Sequence, residues 1–288
     1  MKYKVLLLPL FCLPALGAPA QDSALRVGLK TEREGYLPQE DLPLMVTIAN
    51  VGPQPIHLGG AKDWLHLSVQ GEKVKNVPVR ADLPLAPVTV APGSQENRVF
   101  NLADYFKLDV VDLYQVTAEV SVPEWEQRVS SAPCKFFIQY GTPMVDVGDL
   151  TIGVTPALGA SNGPPEMRRF QLLKVTQDPQ TMLYCQLIRV KDNAILKVFP
   201  LDPMLNIARP EVKIDRLNHL NILYQTDARL FHYSVVDPNG RLMRRRVFDY
   251  TDKRPTLRTD PDGFVGVDGG KVHPLPIDPG QANAATNK

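Results

Sequence analysis

Five histidines, three cysteines and two acidic turns hold most of the side chains from which this 288-residue chain could build a reactive centre. His57, His66, His219, His232 and His273 are scattered. None forms the H-x-x-x-H or H-E-x-x-H spacing that sets two imidazoles on one helical face around a metal. His66 and His232 fall inside strand-patterned stretches and read as solvated or hydrogen-bonded strand residues. No G-x-S-x-G stretch presents a serine nucleophile, and no cysteine stands in a reactive-looking context. Gly266, Gly269 and Gly270 follow a strand but open no helix, so a dinucleotide site is not expected. Asp260-Pro261-Asp262-Gly263 and Asp237-Pro238-Asn239-Gly240 carry calcium-like oxygens, yet calcium needs six or more ligands. Asp-Pro-x-Gly is also what a tight turn asks for: proline at its second position and glycine where φ is positive. These stretches are read as turns. Paired carboxylates for glycoside hydrolysis are a spatial matter, and nothing singles out a pair. The expectation is a protein that is not an enzyme, with no metal and no cofactor.

Arg241, Arg244, Arg245 and Arg246 form the most unusual surface feature. On a strand, Arg244 and Arg246 face one way and Arg241 and Arg245 the other. Guanidinium pairs bidentately with carboxylate, sulfate or phosphate, which suits an anion or polysaccharide contact. A solvated edge that resists aggregation is the other reading, and the simpler one. For a glycan-binding module, Trp64, Trp125 and Tyr250 would supply the aromatic platform beside these arginines.

The opening MKYKVLLLPLFCLPALGAPAQDS combines Lys2 and Lys4, an apolar run from Val5 to Leu16 and an Ala18-Pro19-Ala20 cleavage site. It reads as a secretory signal peptide over residues 1–20, cut after Ala20, and places the protein in the periplasm or the secreted fraction. No later stretch is long and apolar enough to span a membrane. Residues 21–149 carry 11 Lys/Arg against 17 Asp/Glu, and residues 150–270 carry 17 against 13. The halves therefore have opposite net charge, and neither is basic enough to make nucleic acid the main ligand. Cys134 and Cys185 remain after processing. Export permits a disulfide between them, while their shared phase with Phe136 and Ile138, and with Leu183 and Leu187, equally suits free buried thiols.

The supporting elements are strands. Leu25, Val27 and Leu29 alternate with Arg26 and Lys30, and Leu44, Val46 and Ile48 repeat the period of two. The same holds for Leu65, Leu67 and Val69, for Tyr114 through Val122, and for Cys134, Phe136 and Ile138. Such alternation between Pro- and Gly-rich turns marks half-buried antiparallel strands. EGYLPQEDLPLMVTIANVGPQPIHL and FNLADYFKLDVVDLYQVTAEV resemble immunoglobulin-like modules of bacterial secreted proteins, over about residues 23–140. The resemblance implies a β-sandwich in which Tyr114 takes the corner position before a late strand and hydrogen-bonds back across the turn. Asp112-Leu113 stands where such modules usually carry a glycine.

In the second half, QTMLYCQLIRVKDNAILKVF (180–199) aligns with QTDARLFHYSVVDPNGRLMRRRVF (225–248), and Arg209-Pro210 with Arg254-Pro255, 45 residues on. Each unit reads as a hairpin with a tight turn followed by a short strand pair, and its period resembles a β-propeller blade. Two copies cannot close a propeller, so stacked or merged sheets are expected. The predicted protein is all-β: a signal peptide (1–20), an immunoglobulin-like sandwich (21–140), a linker (141–149), an antiparallel β-domain with two blade-like repeats (150–270) and a disordered tail (271–288). Its expected role is binding or assembly at the cell envelope through exposed strand edges or loops, with an envelope or secreted protein as partner. A polysaccharide-binding module and a proteinase-inhibitor-like protein are the alternatives.

Overall fold

The computed structural model describes residues 24–59, 64–122, 127–144, 150–155, 164–177 and 180–273. The predicted signal peptide, Trp125 and the tail beyond His273 lie outside these residues. The described chain is almost wholly antiparallel strands.

The first half contains β1 (Leu25–Thr31), β2 (Gly35–Tyr36), β3 (Pro43–Asn50), β4 (Ile56–Leu58), β5 (Leu65–Gly71), β6 (Val88–Val90) and β7 (Gln95–Asn101). A single helical turn, α1 (Leu102–Tyr105), precedes β8 (Asp112–Val122), β9 (Gln127–Ser130) and β10 (Cys134–Ile138). One sheet runs β1-β3-β7, the other β2-β10-β8-β5 with β9 continuing beside β8, and β4 pairs with β6. The alternating residues read from the sequence face a single core between the sheets, Leu44, Val46 and Ile48 against Tyr114, Val116 and Phe136. Tyr114 donates its hydroxyl hydrogen to the Val110 carbonyl at 2.9 Å, the corner contact implied by the resemblance. The missing glycine is replaced by a carboxylate. Buried Asp112 accepts the backbone N–H groups of Lys73 (2.8 Å), Val74 (3.0 Å) and Leu113 (2.9 Å), fastening the corner to the end of β5.

The second half contains β11 (Thr142–Pro143), β12 (Thr151–Val154), β13 (Glu166–Gln177), β14 (Gln180–Arg189), β15 (Ile195–Met204), β16 (Glu211–Ile214), β17 (Leu220–Gln225) and β18 (Leu230–Val236). It ends with β19 (Leu242–Asp249), β20 (Thr256–Thr259), β21 (Val265–Asp268) and β22 (Lys271–His273). The orders are β11-β13-β14-β15, with β12 also on β13, and β16-β17-β18-β19-β22. Leu172, Leu183, Cys185, Leu187, Ile222 and Tyr224 pack between these two sheets. The β20–β21 hairpin forms a further layer, placing Leu257 and Val267 on Leu223, Phe231 and Phe248. Two expected boundaries shift. Thr142 and Pro143 of the predicted linker pair with β13, and Lys271 to His273 of the predicted tail form an edge strand on β19.

The 45-residue repeat is present as structure, but its units are not blades. Each gives a longer hairpin (β14–β15, then β18–β19) and a shorter one (β16–β17, then β20–β21). A blade keeps four strands in one sheet. Here the chain leaves β15 and crosses to the opposite sheet at β16, so the first unit is divided between two layers. A finer period also exists. Asp192, Asp215, Asp237 and Asp260, spaced 23, 22 and 23 residues apart, each accept backbone N–H groups inside a hairpin turn, the Asx arrangement that short acidic side chains favour. In both D-P-x-G turns the glycine has positive φ, 80° at Gly240 and 83° at Gly263, and donates back to the aspartate carbonyl at 3.0 Å. Contacts collect the turns at one end. Arg168, paired across the ladder with Arg189, donates to Pro238 O and Asn239 Oδ1, and Arg216 N donates to Gly263 O at 3.0 Å.

Among the described residues, a joint around Arg33 links the halves. The Arg33 guanidinium ion-pairs with buried Glu40, donates to the Tyr184 hydroxyl at 2.6 Å and lies 4.6 Å from the Tyr36 ring centroid. Leu37 packs on Leu173, Val175, Tyr184 and Val198, on the outer face of β13–β15. Lys197 pairs with Asp41 at 2.6 Å.

Of the two readings of Cys134 and Cys185, the free thiols are the one present. Both thiols are free, Cys185 buried in the second core and Cys134 half-buried at the first, with Thr31 Oγ1 3.9 Å from its sulfur. Burial pushes the Cys185 thiol up to about 12. Electrophoretic mobility is therefore expected to be the same with and without reductant, and Cys185 to react with an aromatic disulfide reagent only on unfolding. Rapid native labelling of Cys185 would contradict this packing. At the joint, Arg33→Ala leaves Glu40 buried without its cation and is expected to cost about 3 kcal/mol in denaturant unfolding. Arg33→Met with Glu40→Gln is expected to recover most of that loss.

Candidate functional site

Two clusters on the β16–β19 sheet gather the polar side chains of the second half, one on each face. On the inner face, β17 and β18 pair Tyr224 with His232 and Ile222 with Ser234, and β19 sets Arg245 beside Ser234. Asp202 reaches across from β15. Its carboxylate accepts from the Tyr224 hydroxyl at 2.6 Å, lies 3.0 Å from His232 Nδ1 and ion-pairs with Arg245 at 3.3 Å. Arg245 also donates to the Leu201 carbonyl at 2.9 Å. Burial by itself raises the Asp202 pKa, but the His232 and Tyr224 hydrogen bonds and the Arg245 charge outweigh it and hold the carboxyl below its ordinary value. The Tyr224 phenol is driven upward by burial and by the same carboxylate. The residue types are those of an acyl-transfer centre, Asp, His and Ser. Ser234, however, is 0 % exposed, and a nucleophile must meet its substrate. What the arrangement does physically is clamp the β15 edge of one sheet to three strands of the other.

On the outer face, the β20–β21 hairpin covers only part of the sheet. Between the turn-bearing end of β17–β19 and the hairpin lies a cleft of about 440 Å³, lined by residues including Asn221, Tyr233, Val235, Arg244 and Phe264. Its floor is fixed. The Tyr233 hydroxyl donates to Asn221 Oδ1 at 2.6 Å, and Asn221 Nδ2 donates to His219 O at 3.2 Å. His219 is held by Asp215, Nδ1 to Oδ2 3.2 Å. Arg216 lies 4.7 Å above the Phe264 ring centroid. Leu217 (50 % exposed), Met243 (55 %) and Phe264 (39 %) leave apolar surface at the rim.

The arginine run divides between these two places. Arg245 belongs to the inner clamp. Arg244 and Arg246 register with Val235 and Tyr233 on the outer face, where neither has an ion-pair partner among the described residues. Arg241 sits on the turn, exposed, with its backbone N–H on Asp237. Of the three aromatic residues expected to form a platform, Trp125 lies outside the described residues. Trp64 is 1 % exposed and part of the first core, although it stands just before β5 and β5 buries the opposite phase, Leu65, Leu67 and Val69. Tyr250 is accessible and lies at the far end of β19 from the turns. Among the described residues no three His, Cys, Asp or Glu side chains converge as metal ligands, and no helix is long and apolar enough to cross a membrane. Asp202, Tyr224, Asn221, Tyr233 and Phe264 were not singled out in the sequence. The only local signal was strand phase: His232 and Tyr233 point to opposite faces, so each face of β18 carries a polar group needing a partner.

Because the folded-state pKa of Asp202 is lowered, its stabilisation is present above the unfolded carboxylate value near 3.9 and is lost as pH falls through the lowered folded value. Asp202→Asn is expected to lower stability at pH 7 by about 1–3 kcal/mol and to reduce the loss of stability on acidification, measured by denaturant unfolding between pH 7 and pH 3. Parallel stability–pH curves for the two proteins would remove Asp202 from this role.

No protein-family model matches the chain, and no curated protein matches it. Among solved structures it is similar to the sporulation control protein Spo0M from Bacillus subtilis, at a TM-score of 0.28 and 12% identity, covering 62% of this chain and 90% of that one. A likeness of that size carries no functional argument.

Proposed function

We propose that this chain is an exported, non-enzymatic binding or assembly protein of the cell envelope, with an immunoglobulin-like module as its first half. It acts through the exposed face and loops of its second half toward an envelope or secreted protein. The observation that carries this reading is the outer face of β19, where Arg244 and Arg246 stand without carboxylate partners among the described residues beside exposed Met243. Charge left unpaired next to apolar surface is the composition of a contact patch, in which aromatic residues, methionine and arginine are enriched. The opening sequence supports export, and the Tyr114 corner supports the immunoglobulin-like module. Buried Trp64 removes one support from the polysaccharide alternative.

The test is affinity capture from solubilised envelope and secreted fractions of the source organism, using tagged mature protein from Gln21 onward. One protein recovered in stoichiometric amount is expected, and its recovery is expected to fall when Arg244 and Arg246 are both replaced by glutamate. Capture of nothing, with retention on glycan arrays instead, would favour a polysaccharide ligand.

A further inference from the structure

We infer that the cleft between the β20–β21 hairpin and the turn-bearing end of β17–β19 receives a segment of a partner polypeptide in which a large apolar side chain stands beside a carboxylate. This deepens the proposed function and rests on it. The cleft's volume of about 440 Å³ falls within the range of sites that enclose ligand groups. Its floor asks for an apolar occupant. Leu217, Met243 and Phe264 line the cleft with exposed apolar surface, Val235 beneath them is buried, and the Tyr233 hydroxyl is already engaged with Asn221 Oδ1 and Val265 O. An apolar side chain seated on this floor leaves those bonds intact.

The rim asks for an acid. Arg244 lines the cleft, and Arg246 follows two residues along on the same face, about 7 Å away at strand spacing. The acidic residue that lines the cleft does not compete. The Asp215 carboxylate is engaged by the backbone N–H groups of Leu217 and His219 and lies against the His219 ring, so its charge is committed inside the turn. A guanidinium next to an apolar cleft is well matched to a carboxylate one or two residues from a buried side chain. A sugar is matched less well, because stacking needs an open aromatic face and the Phe264 ring already carries the Arg216 guanidinium.

The test begins with a random twelve-residue peptide library selected against the full mature chain. A synthetic copy of the most enriched sequence is then titrated by fluorescence anisotropy. Enriched peptides are expected to carry a large apolar residue within two positions of an aspartate or glutamate. Arg244→Glu and Phe264→Ala are each expected to weaken binding at least tenfold. Arg241→Glu makes the same charge change on the exposed turn, and its effect is expected to stay below twofold. Unchanged thermal unfolding of Arg244→Glu confirms that its fold is intact. Absence of that peptide pattern, or equal weakening by Arg241→Glu and Arg244→Glu, overturns the assignment. If Arg244→Glu captures the envelope partner as well as the parent chain does, the cleft is wrong while the binding function stands. If the parent chain captures no partner at all, it is the function that falls.

Discussion

The arrangement of the two halves depends on one guanidinium. Arg33 leaves β1 and turns toward the outer face of β13–β15, where it meets Tyr184, while Glu40 on the same side of the joint holds it. Removing such a pair from water costs several kcal/mol per ion, and only good geometry recovers it. Here the carboxylate also accepts the Leu37 N–H at 2.8 Å, and the guanidinium is flanked by the rings of Tyr36 and Tyr184. Burial alone would lower the Arg33 pKa and raise that of Glu40. The pairing reverses the first, so Arg33 stays fully charged, and only partly offsets the second. Apolar burial between Leu37 and the sheet is non-directional. The ion pair gives it one orientation.

That docking explains the layers that follow. β14 is buried on both faces: Leu183, Cys185 and Leu187 point to the inner core, and Met182 and Tyr184 to the joint. A strand covered twice has no reason to alternate, and Thr181 to Ile188 is accordingly a nearly continuous apolar run. β17 repeats the situation one layer on. Leu220, Ile222 and Tyr224 face the inner core, while Leu223 faces the hairpin. Each sheet therefore needs a neighbour on its second face. The first half supplies it for β13–β15, and β20–β21 for part of β16–β19.

Much of this was legible in the sequence wherever one face was wet. β1, β3, β5 and β8 alternate because solvent lies on one side, and their core residues follow from the period alone. The long and short hairpins of the repeat, and the D-P-x-G turns that close two of them, were readable because turn chemistry is local. The crossing from β15 to β16 was not. The same four strands could have stayed in one sheet, and the decision rests on long-range packing of Leu201, Met204 and Leu220. Trp64 was misplaced for a related reason, since a tryptophan at a strand start fits a sugar platform or a core equally well until the opposite sheet is known. The Asp202 clamp joins residues 22 to 43 positions apart, and no spacing rule reaches across two sheets. The unformed disulfide follows too, as each thiol was matched to the phase of its own strand and each strand has its own core.

The arginines and the cleft are two consequences of one mismatch in width. β19 is an internal strand, paired with β18 and β22, yet it carries charge on both faces, which a strand inside a covered sheet does not tolerate. The opposite sheet ends at β15, and β19 gives the shared core only partly buried Leu242. On the inner side Arg245 reaches back to Asp202 and Leu201 O, sealing the rim that β15 leaves open. On the outer side the hairpin is two short strands against a five-stranded sheet, so its cover takes in Val235 and stops before exposed Arg244. Guanidinium groups suit such an overhang, because their stems lie on apolar surface while their heads stay hydrated. They keep the uncovered area from pairing with a like surface. They also leave it with a sign: a positive rim at Arg244 and Arg246 beside the exposed apolar surface of Met243 and Phe264.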